Sequence, residues 1–212
     1  MKHVLPVCIE SHAFSPADFV GGEPALDFAN TIAGWNGNPR DWLDGYDSLA
    51  GWARQAGVIP DELSAALRRQ AEIEPKAAGM ALRQARSLRE DIHEYFCAIA
   101  RETTPDSRVI ESLFSRWRKA ADSHAPNIKE GRLVLEPKRK ALLLGVITDR
   151  LAYQAFELAR TVDTDRLRIC DGANCGWLFI DRSKAGRRRW CDMATCGNAA
   201  KSRRHYERKA GE

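Results

Sequence analysis

Four cysteines near the C-terminal end of the chain have a spacing that suits a metal ion. Cys170 and Cys175 are separated by four residues, as are Cys191 and Cys196, and fifteen residues lie between the two pairs. Two close pairs joined by a hairpin-sized segment are typical of a tetrahedral zinc site. Four thiolates leave no coordination position for water. The spacing therefore predicts one structural Zn²⁺ rather than a catalytic one.

Positive charge is concentrated in the same part of the chain. Residues 166–212 contain twelve Lys or Arg and five Asp or Glu, a net charge of +7, whereas residues 1–165 carry 21 basic and 24 acidic residues, a net charge of −3. Such a segment suits a polyanion, and we expect duplex DNA, with RNA as the alternative. The candidate nucleic-acid-binding residues are Arg187, Arg188, Arg189, Lys201, Arg203, Arg204 and Arg208.

One of the three consecutive arginines is expected to have a different task. Zinc with four thiolates carries a formal charge of −2, and Arg187, Arg188 and Arg189 are close enough in sequence for one of them to neutralise it. The remaining cations exceed what that structural role needs. We therefore expect the others to face a partner.

The residues around the cysteines predict the elements that position them. The stretches "RLRIC" and "WLFID" favour a two-stranded hairpin, and "GNAAKSRRHYERK" contains no helix breaker, so a helix should begin at the metal. Hairpin followed by helix is a treble-clef-like arrangement. This module has few large apolar residues, so metal binding, worth on the order of 10 kcal/mol in comparable modules, should hold it together.

The preceding residues predict a mainly α fold with a minor β element. We expect a helical domain over residues 18–160, the polar stretch "RTVDTDRL" as a boundary, and the zinc finger over residues 166–209. One strand is expected in "GRLVLEPK". Helices are predicted from Pro24, over "LAGWARQAG", from Asp61, over residues 77–100, after an N-cap at Thr104, and over residues 140–160.

Asp27 and Asn30 are polar residues on a short, otherwise apolar predicted helix. They are candidates for lining a ligand pocket. The alternative is that they cap or bridge neighbouring helices.

Two stretches resemble known families. "CGWLFIDRSKAGRRRWCDMATCGNAAK" is similar to the CGNR zinc-finger family of bacterial transcription regulators, and "LDFANT" with "LAGWARQAG" resembles the ABATE domain that precedes this finger. The resemblance implies a DNA-binding finger and a regulatory helical domain that senses a ligand or protein partner. Ala199 stands where the name motif of the finger family has Arg. If that Arg contacts DNA, this chain lacks the contact, and Arg203 and Arg204 are candidates to compensate for it.

The sequence also argues against other classes of protein. No apolar run approaches the roughly 20 residues that span a bilayer, and Pro6 and Glu10 break any signal-peptide core, so we expect a cytoplasmic protein without membrane contact. No phosphate-binding loop or nucleophile elbow is found, so an enzyme is not expected. A ribosome-associated zinc protein, a redox or metal sensor using the zinc thiolates, and a homodimer stay open as alternatives.

Overall fold

The computed structural model describes residues 7–138 and 144–210. The part of the chain so described is mainly helical, as predicted. Its helices are α1 (Pro24–Ala29), α2 (Tyr46–Gln55), α3 (Asp61–Ile73), α4 (Pro75–Ala100), α5 (Ser107–Asp122), α6 (Val146–Thr161) and α7 (Asn198–Ala210). Its strands are β1 (Cys8–Ile9), β2 (Ile32–Ala33), β3 (Arg40–Asp41), β4 (His124–Lys129), β5 (Arg132–Pro137), β6 (Leu167–Ile169) and β7 (Leu178–Ile180).

Helix α4 is the central element, and it confirms the helix predicted over residues 77–100. Pro75 occupies its first turn, where a missing N–H costs nothing. One face packs against α1, α2, α3, α5 and α6. The buried apolar residues of that face recur at intervals of three and four: Ala78, Ala81, Leu82, Ala85, Leu88, Ile92 and Phe96. No helix in the described residues is both long and apolar enough to cross a membrane.

Two predicted elements differ from the structure, and part of a third lies outside the described residues. The fifth helix begins at Ser107 rather than after Thr104, because the Asp106 carboxylate accepts a hydrogen bond from the Arg108 amide at 2.8 Å and caps the helix there. The single strand expected in "GRLVLEPK" has a partner, β4, in a hairpin. Of the helix predicted over residues 140–160, residues 140–143 lie outside the described residues.

The β4–β5 hairpin shows why its first strand escaped prediction. Pro126 and Asn127 interrupt the alternation that signals a strand. The turn is made by Glu130 and Gly131, which both have positive φ angles, 51° and 73°. Two consecutive positive φ values match the type I′ turn, whose twist suits a two-residue hairpin loop.

One buried apolar cluster continues from the helices into the C-terminal hairpin. Leu167 of β6 and Leu178 of β7 belong to the same cluster as the side chains of α1, α4 and α6. A second, small cluster of Cys170, Phe179 and Cys191 surrounds the sulfurs. The hairpin therefore shares its core with the helices. The predicted division into domains at residues 18–160 and 166–209 stays a prediction.

Candidate metal centre and basic surface

The four cysteines of the predicted zinc site converge. The Sγ atoms of Cys170, Cys175, Cys191 and Cys196 all lie within 4.8 Å of one another. The Cys191 sulfur is 3.7 Å from both the Cys175 and the Cys196 sulfur. A tetrahedron of sulfurs placed about 2.3 Å from a central zinc has edges of about 3.8 Å, so the donor set fits a ZnS₄ centre.

The backbone around Cys170 is arranged for a thiolate. Gly172 and Cys191 direct their amide groups at the Cys170 sulfur, with N–S distances of 3.4 and 3.3 Å. Hydrogen bonds from the thiols of Cys175 and Cys191 lower the pKa of Cys170 well below the ordinary thiol value, to about 2. The cluster therefore favours a deprotonated sulfur at Cys170, whereas contacts with Cys170 raise the pKa of Cys175 and Cys191 and burial raises that of Cys196.

Gly172 leaves the space that the sulfurs occupy. A Cβ atom at this position would lie 2.9 Å from Cys175 Cβ and 3.0 Å from Cys196 Sγ. Gly172 lies in space between Cys175 of the first pair and Cys196 of the second, and only a residue without a side chain fits there.

Asp181 fixes the loop that carries the consecutive arginines. Its buried carboxylate accepts hydrogen bonds from the Ser183 amide at 2.9 Å and the Arg188 amide at 2.7 Å. Burial acts to raise the pKa of Asp181, but the hydrogen bonds from Ser183 and Arg188 outweigh it and bring the pKa down to about 2. The two ends of the exposed loop are thus tied to one carboxylate.

Arg188 is the arginine with a structural role. Its Nε donates to the Trp190 carbonyl at 2.8 Å, and an Nη atom donates to the Cys191 carbonyl. Its guanidinium lies 4.6 Å from the centre of the Phe179 ring. These contacts use the guanidinium to brace the segment that leads into the second cysteine pair. The expectation that one of the three arginines is structural therefore fits Arg188, and a role of Arg188 in nucleic-acid binding stays a prediction.

The other predicted cations differ in how free they are. Arg189 forms an ion pair with Asp171 at 2.7 Å, and both side chains are largely exposed. Arg187, Lys201 and Arg203 are exposed and form no ion pair within the described residues. The side chains of Arg204 and Arg208 lie outside the described residues, so their assignment stays a prediction.

Two family models match the chain. The ABATE model, described as "Putative stress-induced transcription regulator", matches residues 22–162, about two thirds of the chain. The chain belongs to the ABATE family. A second model, the CGNR zinc finger, matches residues 166–209, which contain all four converging cysteines. This match and the sulfur geometry confirm the predicted cofactor, one structural zinc. No curated protein matches the sequence significantly.

Within the ABATE region, Asn30 and Asp27 both make contacts inside the protein. The Asn30 amide donates to the Leu178 carbonyl and accepts from the Leu178 amide, each at 2.9 Å. The Asp27 carboxylate accepts from the Gly21 amide at 2.7 Å. Neither residue lines any of three surface cavities in the described residues, of about 650, 350 and 140 Å³. Asn30 thus bridges to a strand and Asp27 to the loop before α1, rather than to neighbouring helices, and their role in a ligand pocket stays a prediction.

Sequence reasoning missed a buried ion pair in the ABATE region. Arg89 of α4 contacts both carboxylate oxygens of Asp41 in β3, at 2.6 and 2.7 Å, and also reaches the Thr31 hydroxyl at 3.1 Å. A signal was present, because Arg89 follows Ala85 by four residues on the apolar face of the predicted helix. Its partner could not be identified from spacing.

Ala199, where the finger family has Arg, is exposed near the start of α7. The position therefore faces outward but presents no donor to a partner. Arg203, one turn further along, is exposed as well and keeps a positive charge on the helix.

Proposed function

We propose that this protein is a zinc-dependent transcription regulator that binds duplex DNA through its finger. The ABATE region would adjust that activity by binding a ligand or a protein partner. The observation that carries the proposal is a set of exposed cations on a segment held by one metal centre. It is supported by the family match.

The zinc centre holds two groups of cations in a fixed relation. The loop with Lys184 and Arg187 is tied to Asp181, and Cys191 follows it closely. Helix α7, with Lys201 and Arg203, begins two residues after Cys196. Because both cysteines belong to one cluster, loop and helix are positioned together. Fixed cations bind a phosphate backbone with less loss of conformational entropy than mobile ones.

The metal centre supports a binding protein rather than an enzyme. All four positions of a tetrahedral zinc would be taken by Cys170, Cys175, Cys191 and Cys196. A catalytic zinc needs a position for water or substrate. We therefore propose that zinc in this protein shapes the binding surface and takes no part in a reaction.

Selection of bound fragments from random duplex DNA by the zinc-loaded full-length protein tests the proposal. We expect one motif to be enriched and binding to weaken steeply as salt rises. Structured RNA offered in a parallel arm addresses the alternative partner. Preference for RNA, or equal retention of both polymers without any enriched motif, would overturn the DNA proposal.

Matched variants sharpen this experiment. The triple variant Arg187→Gln, Lys201→Gln, Arg203→Gln removes three exposed charges from the finger. The control, Arg69→Gln, Arg83→Gln, Arg118→Gln, removes three exposed charges from the ABATE region. Both variants change the net charge equally. We expect only the first to lose DNA binding, by at least tenfold, and equal losses would indicate attraction by net charge alone.

A further inference from the structure

The finger is joined to the ABATE region along a strand edge. Strand β7 pairs with β6 on one side. On its other side Leu178 exchanges two hydrogen bonds with the Asn30 side chain, and the Ile180 amide donates to the Gly21 carbonyl at 3.0 Å. The Asn30 amide thus takes the place of a peptide group in a neighbouring strand. Asn30 is only 1% exposed, so these bonds are shielded from water.

A second contact joins the zinc-binding turn to the loop at residues 34–38. A Cβ atom on Gly176 would lie 2.9 Å from both Trp35 Cβ and Asn36 Oδ1, and one on Gly37 would lie 2.8 Å from Asn174 Oδ1. Each loop therefore places an asparagine side chain on a glycine of the other. Gly176 also has a positive φ of 74°, which favours glycine independently.

The zinc-binding turn also reaches the central helix. His93 of α4 lies with its Nε2 3.2 Å from the Gly176 carbonyl oxygen, and its ring stacks on Trp35 at 3.8 Å between centres. Gly176 directly follows the zinc ligand Cys175. The residue next to a zinc ligand therefore contacts α4, the longest described helix of the ABATE region.

Polar contacts continue this junction at both ends. The Trp177 Nε1 donates to the Ile32 carbonyl at 2.9 Å. Arg182 donates to the Gly22 carbonyl at 2.8 Å and pairs with Glu23 at 2.7 Å. Partners on the ABATE side thus extend from Gly21 to loop 34–38 and to α4. A finger on a flexible tether would show none of these contacts.

We infer that zinc binding is coupled to the folding of the ABATE region, so that loss of the metal loosens α1 and the middle of α4 as well as the finger. Without zinc the turn at residues 170–176 loses what holds it, because the finger has little apolar core of its own. Asn30 and the Ile32 carbonyl would then lose buried partners, which is costly. The metal centre thereby acts as a conformational switch for the finger, α1 and the middle of α4, whatever the finger binds.

Hydrogen exchange of the full-length protein, with zinc and after its removal by EDTA, tests the coupling. We expect amide exchange at residues 25–33 and 89–97 to rise at least tenfold together with exchange in the finger. Exchange that accelerates only within residues 166–197 would overturn the inference. Hydrogen exchange is measured without nucleic acid, so a failure of the coupling is distinct from a failure of the proposed function.

Zinc affinity, measured by competition with a chromophoric chelator, tests the coupling in the opposite direction, because linkage between binding free energies is reciprocal. Asn30→Ala removes the pairing with Leu178, and we expect zinc affinity to fall at least tenfold. Trp177→Phe keeps an aromatic ring but removes the donor to Ile32, and we expect a several-fold loss of affinity even if Asn30→Ala fails to fold. The control is Asn127→Ala in the exposed hairpin strand β4. Zinc affinity of Trp177→Phe equal to that of the control would contradict the inference.

Discussion

Arg89 and Asp41 form a bidentate ion pair inside the ABATE region, with N–O distances of 2.6 and 2.7 Å. Their side chains are 1% and 5% exposed, and the Arg86 Nε adds a contact to Asp41 at 3.0 Å. The pair joins α4 to β3. Arg89 also donates to the hydroxyl of Thr31, the residue that directly follows Asn30. A buried charge network is therefore one residue away from the junction with the finger.

Replacing Arg89 by Met should destabilise the protein strongly. The change leaves the buried Asp41 carboxylate with the Arg86 contact and the Leu43 amide but without its bidentate partner, and breaking a buried pair costs about 3–5 kcal/mol. We expect a loss of that size in the free energy of unfolding measured with urea. Arg108→Met is the control, because Arg108 is 78% exposed and its pair with Asp106 should contribute less than about 1 kcal/mol. Equal effects of the two changes would contradict this account.

Arg188→Met should weaken zinc binding without acting through DNA. The Met side chain still covers Phe179 but cannot donate to the carbonyls of Trp190 and Cys191. We expect zinc affinity, measured by competition with a chelator, to fall at least tenfold. Arg187→Met, at the neighbouring exposed position, should retain the affinity of the unchanged protein. A normal zinc affinity for Arg188→Met would show that the guanidinium contacts are dispensable.

Arg203→Gln should reduce the salt dependence of DNA binding. If Arg203 contacts one phosphate, the slope of log K against log salt concentration should become smaller by about one. Fluorescence anisotropy with a labelled duplex at several salt concentrations measures the slope. Arg69→Gln on α3 should leave it unchanged. An unaltered slope for Arg203→Gln would remove this residue from the interface.

Asp27 should make stability depend on pH in a particular direction. Burial raises the pKa of Asp27 to about 6, while the Gly21 amide lowers it and Glu23 raises it further. The pKa of Asp27 is higher in the folded than in the unfolded protein. The contribution of Asp27 to the free energy of unfolding is therefore fully present below about pH 4 and is lost as the pH rises through about 6. Asp27→Asn should therefore be more stable than the unchanged protein at pH 7, by roughly 3 kcal/mol.

Urea unfolding at pH 4, 5, 6 and 7 checks this expectation. Protonation of the zinc thiolates also changes stability with pH, so the measured quantity is the difference between the two proteins at each pH. An amide oxygen at position 27 can still accept from Gly21. A difference that stays constant across the range would contradict the raised pKa.

Gly172→Ala should lower zinc affinity by crowding the sulfurs. The added methyl would lie 2.9 Å from Cys175 Cβ, closer than Cβ contacts allow, and 3.0 Å from Cys196 Sγ, which is tighter than most such contacts. We expect at least a tenfold loss of zinc affinity by chelator competition. Gly145→Ala is the matched control, since no described atom lies within 4 Å of a Cβ built there. Tight zinc binding by Gly172→Ala would show that the turn relaxes freely.

The sequence by itself determined the metal centre and the main helix. Cysteine spacing limits which sulfurs can meet, and thiolate chemistry selects the metal, so Cys170, Cys175, Cys191 and Cys196 could be assigned without coordinates. The apolar periodicity of residues 77–100 is likewise a local property, and α4 follows it. The start of α5 was predicted less well, because Asp106 rather than Thr104 caps the helix. Strand β4 was missed because Pro126 interrupts its pattern.

Only the tertiary structure decided what the polar side chains do. Asn30 meets Leu178 across 148 positions, and Arg89 meets Asp41 across 48, distances at which no local pattern identifies a partner. The three arginines at 187–189 are equivalent in sequence, yet Phe179 and the Trp190 carbonyl make Arg188 structural. Local spacing fixes ligands and helical faces. Long-range hydrogen bonds depend on how the elements pack, and here that packing joins the finger to the ABATE region.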